Sequence, residues 1–193
     1  MVNRCDSIYL PSRRVFGKLT ANDHWIIFVK HSRFTIHHLL FTVLLPFPSH
    51  MIDSAKKIIV PRSLLAELIS HSRTTAPEEC CGLIGSADGE LASSVYAMQN
   101  IATNPRVAYE AAPMDLFSAQ REMRARSEGL LAIYHSHPAS NNPHPSETDV
   151  RLAYYPEAFY IIIGLESEAK VRAFCIGGHD GGWTEARIET IDQ

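Results

Sequence analysis

The sequence predicts a mixed α+β domain of the α/β class, with a mixed β-sheet flanked by helices. Three observations carry that expectation. From residue 58 onward, strand-like and helix-like apolar runs alternate without the strict βαβ repetition that builds an all-parallel sheet. About 140 residues follow Met51, enough to bury roughly two-thirds of the surface of the unfolded chain. The hydrophobic fraction of 46% with 20% charged residues is ordinary for a globular chain, so whole-chain disorder is excluded.

The elements follow in order. Ile58-Ile59-Val60 is a short strand, and Pro61 suits the first position of a helix. Leu64, Leu65, Leu68 and Ile69 recur at helical spacing and predict an amphipathic helix over 61–74, ended at Thr74-Thr75-Ala76-Pro77. Residues 81–85 are a compact apolar strand, Asp88-Gly89 a turn, and 91–98 the hairpin partner. A loop over 100–105 leads to an expected edge strand at 107–111. Pro113 opens a second helix reaching about Arg126, with Leu116, Phe117, Ala119 and Met123 facing inward. Residues 130–134 have the composition of a buried central strand. A Pro/Asn-rich loop and a short helix from Ser146 follow, then strands at 158–165, 170–176 and 183–188, with 177–182 a hairpin turn before Trp183.

Charge divides the chain. Residues 1–50 hold six basic and two acidic residues, a net +4, together with five of the ten histidines. The remainder holds 12 basic and 19 acidic residues, a net −7. We therefore read 1–50 as an N-terminal extension, or as upstream sequence ahead of a start at Met51, and 51–193 as the functional domain. The apolar run from Phe34 to Phe47 is shorter than the roughly 20 residues of a membrane-spanning helix and lacks a signal-peptide cleavage pattern. The balance of charge gives no reason to bind nucleic acid or an anionic membrane. Cys5, Cys80, Cys81 and Cys175 make neither a disulfide framework nor a Cys-x-x-Cys motif, so a reducing, cytoplasmic setting is expected.

The chemistry concentrates in Tyr134 to Asp149. His135 and His137 are two apart at a strand end, so both project from one face and can grip one ion. Asp149 lies twelve residues beyond His137, just inside the helix opened by Ser146. Two imidazoles and a carboxylate suit Zn²⁺ and leave a fourth position for water, the pattern of a catalytic rather than a structural site. Glu78 and Glu79 stand immediately before a strand that can pair beside the histidine strand, where a carboxylate can serve as general base and acid. Ser146 offers a hydroxyl donor for an oxyanion. Cys80 and Cys81 are read as small buried residues rather than nucleophiles, and His144 as a loop histidine near the metal. The chain lacks the His-Glu-x-x-His, zinc-deaminase, Gly-x-Ser-x-Gly and phosphate-loop motifs.

His135-x-His137-Pro138, seven residues, Ser146, two residues, Asp149 resembles the signature of the JAMM (MPN+) zinc metalloproteases. The resemblance spans about residues 57–190 and is to the compact prokaryotic type represented by CysO-cysteine peptidases. It implies a JAMM/MPN-like sheet of cytidine-deaminase-like architecture. It also implies that His135, His137 and Asp149 ligate one Zn²⁺ per chain. The family's Glu-x-Cys-Gly context selects Glu79 over Glu78 as general acid/base, with Ser146 contacting the tetrahedral intermediate. The implied reaction is hydrolysis of the peptide or isopeptide bond after the Gly-Gly tail of a ubiquitin-like or sulfur-carrier protein. Such a tail can lie as an added strand along a sheet edge. The alternative is a non-catalytic MPN-type interaction module, which typically lacks one or more of these ligands. Oligomeric state stays open.

Overall fold

Among the described residues, seven short runs become strands, and three helix-period segments become helices. In chain order these are β1 (Lys57–Pro61), α1 (Arg62–Thr75), β2 (Cys81–Ser86), β3 (Ser94–Met98), α2 (Pro113–Ala125), β4 (Gly129–His137), α3 (Glu147–Arg151), β5 (Phe159–Gly164), β6 (Lys170–Ile176) and β7 (Trp183–Ile191). The computed structural model describes residues 56–177 and 182–192. The expected extension over 1–50 and the 178–181 portion of the last hairpin turn lie outside the described residues. Among the described residues, no helix is long and apolar enough to cross a membrane.

The strands form one sheet ordered β1-β7-β6-β5-β4-β2-β3. β1 with β7 and β4 with β5 run parallel, and the other neighbours run antiparallel, the mixed sheet expected from the sequence. The sheet curls strongly. Ile59 of β1 donates its N–H to the Glu90 carbonyl at 3.2 Å and accepts from the Ala92 N–H at 2.9 Å, so one end of the strand order meets the connection beside the other end.

Alternation along the strands sorts the core onto two faces. Ile84, Ala132, Tyr134, Ile161, Ile163 and Ala173 pack with Leu64 and Leu68 of α1. On the opposite face, Cys81, Tyr96 and Met98 pack with Ala119 and Met123 of α2. Tyr160, Ile162, Phe174 and Ile176 pack there with Ala153, just beyond α3. This second face carries Ile133 of β4 and, beyond it at alternate positions, both histidines.

Four expectations are corrected. Pro61 ends β1 opposite Ile191 and is the residue before α1, its ψ of 144° extended rather than helical. Phe117 is 66% exposed, because the inward stripe of α2 is set by Leu116, Ala119 and Met123 and Phe117 lies a helical step away. β3 starts at Ser94 rather than Leu91, since Leu91 and Ala92 are drawn to β1 instead of β2. Residues 107–111 form no strand; only Ala111 bridges to Asn100, and the Asn100 side chain takes up backbone groups that a ladder would use.

Gly82 is where two central strands meet a third residue's ring. A Cβ there would collide with the Tyr96 carbonyl and the Tyr134 ring. Gly82→Ala is expected to destabilise the domain by about 1–3 kcal/mol, the usual penalty of overpacking, read as a lower urea midpoint at unchanged slope.

Candidate metal centre

β4 places the two histidines. His135 and His137 occupy alternate positions on the α2/α3 face, and β4 ends there beside the end of β5, with His137 opposite Gly164. His135 is therefore fully buried, while the His137 side chain keeps 19% of its exposure at the mouth. The third group comes from α3. Ser146 caps this helix: its Oγ accepts from the Asp149 N–H at 3.1 Å, and its own N–H donates to Asp149 Oδ2 at 2.7 Å. This reciprocal capping box fixes the Asp149 side chain and turns it toward the histidines.

The three groups converge. His135 Nε2 lies 3.1 Å from His137 Nε2 and 3.4 Å from Asp149 Oδ1, and His137 Nε2 lies 3.5 Å from Asp149 Oδ2. Ligands bound to Zn²⁺ at about 2.0–2.1 Å in a tetrahedron are separated by about 3.3–3.4 Å; the two imidazole nitrogens stand close to that spacing, and the carboxylate turns one oxygen to each of them. Hydrogen bonds from the two imidazoles to the carboxylate leave the nitrogen–nitrogen contact unrelieved; a divalent cation relieves all three. Burial lowers the pKa of His135 and keeps a neutral imidazole with a lone pair to offer, against the pull of Asp149. Burial opposes ionisation of Asp149, but hydrogen bonds with His135, His137 and Ser146 outweigh it and hold the carboxyl well below its usual range. Among the described residues, His135, His137 and Asp149 form the cluster able to hold a metal ion. Donor chemistry and spacing fit zinc.

Glu79 arrives through strand register. β2 pairs antiparallel with β4, Cys81 opposite His135. The chain just before β2 continues alongside the end of β4: Ser136 N–H donates to the Cys80 carbonyl at 3.2 Å, and Cys80 N–H donates to Ser136 Oγ at 2.9 Å. Glu79 Oε1 thus stands 3.9 Å from His137 Nε2, outside ligand spacing and beside the cluster. Glu79 is 6% exposed, whereas Glu78 faces solvent. Burial pushes the Glu79 carboxyl up to about 7, with His137 opposing the rise and Asp149 adding to it. A carboxyl balanced near neutrality can both take and give a proton.

Two residues around the site carry roles that the sequence reading did not assign. Asn100 uses its whole amide: Nδ2 donates to the Glu79 carbonyl at 2.9 Å and the Ala108 carbonyl at 3.0 Å, and Oδ1 accepts from the N–H groups of Ala102 and Glu110, each at 3.0 Å. It ties the Glu79 backbone to the loop that Glu79 N–H also meets, through the Pro105 carbonyl at 2.7 Å. That loop lays Tyr109 flat on His135, ring centroids 4.5 Å apart at 23°. Asn within a Pro-containing loop was the available signal for such a clamp.

A cleft of about 790 Å³ opens over the cluster, lined by Glu79, His137, Ser146 and Asp149 together with apolar groups of Val107, Leu116, Leu152 and Tyr154. Cys80 and Cys81 are buried with raised thiol pKa values, about 12 for Cys81, chiefly from burial, so neither is poised as a nucleophile. His144 stacks on Trp183 at 6.3 Å, outside the residues lining the cleft. Trp183 itself is 40% exposed.

This arrangement has relatives. Residues 61–176 match the family model of prokaryotic homologs of the JAB domain. A desampylase from Haloferax volcanii is 35% identical over 100 residues, covering 49% of this chain and 71% of that protein. The CysO-cysteine peptidase of Mycobacterium tuberculosis is 26% identical over 138 residues, 70% of this chain and 92% of its own. The solution structure of a protein from Desulfitobacterium hafniense superimposes with a TM-score of 0.63 at 30% identity, covering 70% of this chain and 94% of that one. With the family model spanning well over half the chain, and two imidazoles, a carboxylate and a buried glutamate converging as the motif implies, the chain belongs to the prokaryotic JAB-domain (JAMM-type) family.

Proposed function

We propose that this chain is a zinc-dependent hydrolase of the peptide or isopeptide bond following the C-terminal Gly-Gly tail of a ubiquitin-like or sulfur-carrier protein, with one zinc ion per chain. The observation that carries the reading is the convergence of His135, His137 and Asp149 within metal-ligand reach of one another, with buried Glu79 beside them. The names of the relatives, a desampylase and a CysO-cysteine peptidase, support the substrate class.

His135, His137 and Asp149 would hold the ion, which when bound supplies Lewis-acid polarisation of the scissile carbonyl and an acidified water. Glu79 takes the proton of the attacking water and delivers it to the leaving amine. Its burial serves both halves, since a carboxyl raised to about 7 is a stronger base than an exposed one and still an acid at neutral pH. Ser146 spends its oxygen lone pair on the Asp149 N–H, and its hydroxyl hydrogen can meet the oxyanion of the tetrahedral intermediate. A tail without side chains can approach the cluster closely along the cleft, and the exposed apolar residues lining it, Val107 at 69% and Leu152 at 48%, suit a protein partner. Free thiols at Cys80, Cys81 and Cys175 accord with the cytoplasmic setting we assign.

Metal analysis of the purified protein is expected to give about one zinc per chain. Cleavage of a Gly-Gly-extended sulfur carrier should vanish with a strong chelator and return on adding Zn²⁺; full activity in the metal-stripped protein would overturn the reading. Glu79→Gln should keep its zinc and lose at least about 10²-fold in kcat, the scale of general acid–base catalysis. A Glu79→Gln enzyme of wild-type rate would reject the assigned base. We assign the activity to residues 51–193, so removing 1–50 should leave kcat/KM within about two-fold; an insoluble or inactive truncation would show that segment to be required.

A further inference from the structure

We propose that Arg172 is a positioning residue for the metal centre: from β6 it holds the loop between His137 and Ser146, and so sets where Asp149 stands relative to the histidines. The inference rests on the zinc reading above.

The need for such a holder follows from the local structure. His137 ends β4 and Asp149 sits in α3, and the chain between them over 138–146 contains Pro138, Pro143 and Pro145 and no helix or strand. α3 has five residues, none of them fully buried, and only Val150 packs partly on the core. Its capping box orients Asp149 within the helix but does not place the helix on the sheet. Ala153 anchors the chain after the helix; on the side of the histidines, the distance of Asp149 depends on how the loop is seated.

Two features seat it. Gly164, opposite His137 at the end of β5, leaves room for the loop to lie on the sheet; a Cβ there would collide with the Ser140 carbonyl and press on Pro143. Arg172 supplies the side-chain tether, beside the backbone bond from Glu166 N–H to the Ser140 carbonyl at 3.3 Å. It occupies the same face of β6 as Phe174 and Ile176, a charged residue at an apolar position of the alternation. Its guanidinium lies over the Phe174 ring at 5.2 Å. Nε and Nη2 donate to the two oxygens of Glu185 at 2.9 and 2.7 Å, which fixes the plane of the group. Nη1 is thereby aimed at the loop, donating to Asn142 Oδ1 at 2.9 Å and the Pro143 carbonyl at 3.1 Å. One planar fork thus joins β7, β6 and the metal-bearing loop. A lysine keeps the charge for Glu185 but cannot reach both directions at once.

The test measures zinc affinity of the full chain by competition with a chromophoric chelator, alongside circular dichroism of the metal-free proteins. Removing an outer partner of a metal site typically weakens binding about 10–100-fold, and Arg172 acts one step further out. Arg172→Met and Arg172→Lys are therefore each expected to bind zinc about 10-fold more weakly than wild type. Asn142→Ala should weaken it a few-fold, with no further loss when combined with Arg172→Met, because both act through one contact. Arg172→Lys separates positioning from plain stability, since it keeps a cation for Glu185. Folded Arg172→Lys and Asn142→Ala proteins with zinc affinity within two-fold of wild type would overturn the proposal even if Arg172→Met fails to fold. A wild-type chain that binds no zinc overturns the metal reading and this inference together; a wild type that binds zinc beside equally tight variants overturns this inference alone.

Discussion

Two imidazole nitrogens and a carboxylate held within 3.5 Å of one another, largely out of water, are an electrostatic problem before they are a metal site. Each would rather face solvent or a proton. Desolvation alone favours the neutral forms of His135 and Asp149, and the mutual hydrogen bonds that ionise Asp149 satisfy only part of the cluster. Much of the surrounding structure holds these groups together in spite of that cost, and a divalent cation turns the cost into binding energy.

The fold meets the problem with two supports of different stiffness. The histidines ride on β4, in the middle of the sheet with paired strands on both sides, so their relative placement is a property of the pleat. Asp149 rides on a single helical turn joined to β4 by an irregular loop. Its orientation is local, through the Ser146 cap, but its distance from β4 is not. The fork of Arg172 and the bare surface at Gly164 give that loop a seat on the same rigid sheet.

Glu79 shows the same economy in electrostatic form. The antiparallel register of β2 on β4 carries it to the rim of the cluster, and the Asn100 amide keeps its backbone there with four hydrogen bonds and no unused valence. Burial between these elements raises its pKa, while neighbouring Glu78, one residue away and exposed, is a solvated charge. Position along two hydrogen-bonded strands, rather than residue type, separates a proton carrier from a surface carboxylate.

Much of this was legible in the amino-acid order. The His-x-His pair, the Ser-x-x-Asp cap and the strand and helix periods are relations over two to four residues, and backbone geometry alone converts such spacings into shared faces. The mixed sheet followed from runs of the right length and composition. The pattern misjudged Phe117, which a helical step carries out to solvent, and residues 107–111, whose β-compatible composition yields to an asparagine side chain claiming their hydrogen bonds. The curl that brings Ile59 to Glu90, the clamp of Asn100 on Glu79 and the reach of Arg172 to Asn142 depend on contacts across 21 to 31 positions of chain. No local period encodes such contacts. They exist only once the sheet has closed around them, because a side chain's hydrogen-bond partner is chosen by whichever backbone the packed core brings within 3 Å.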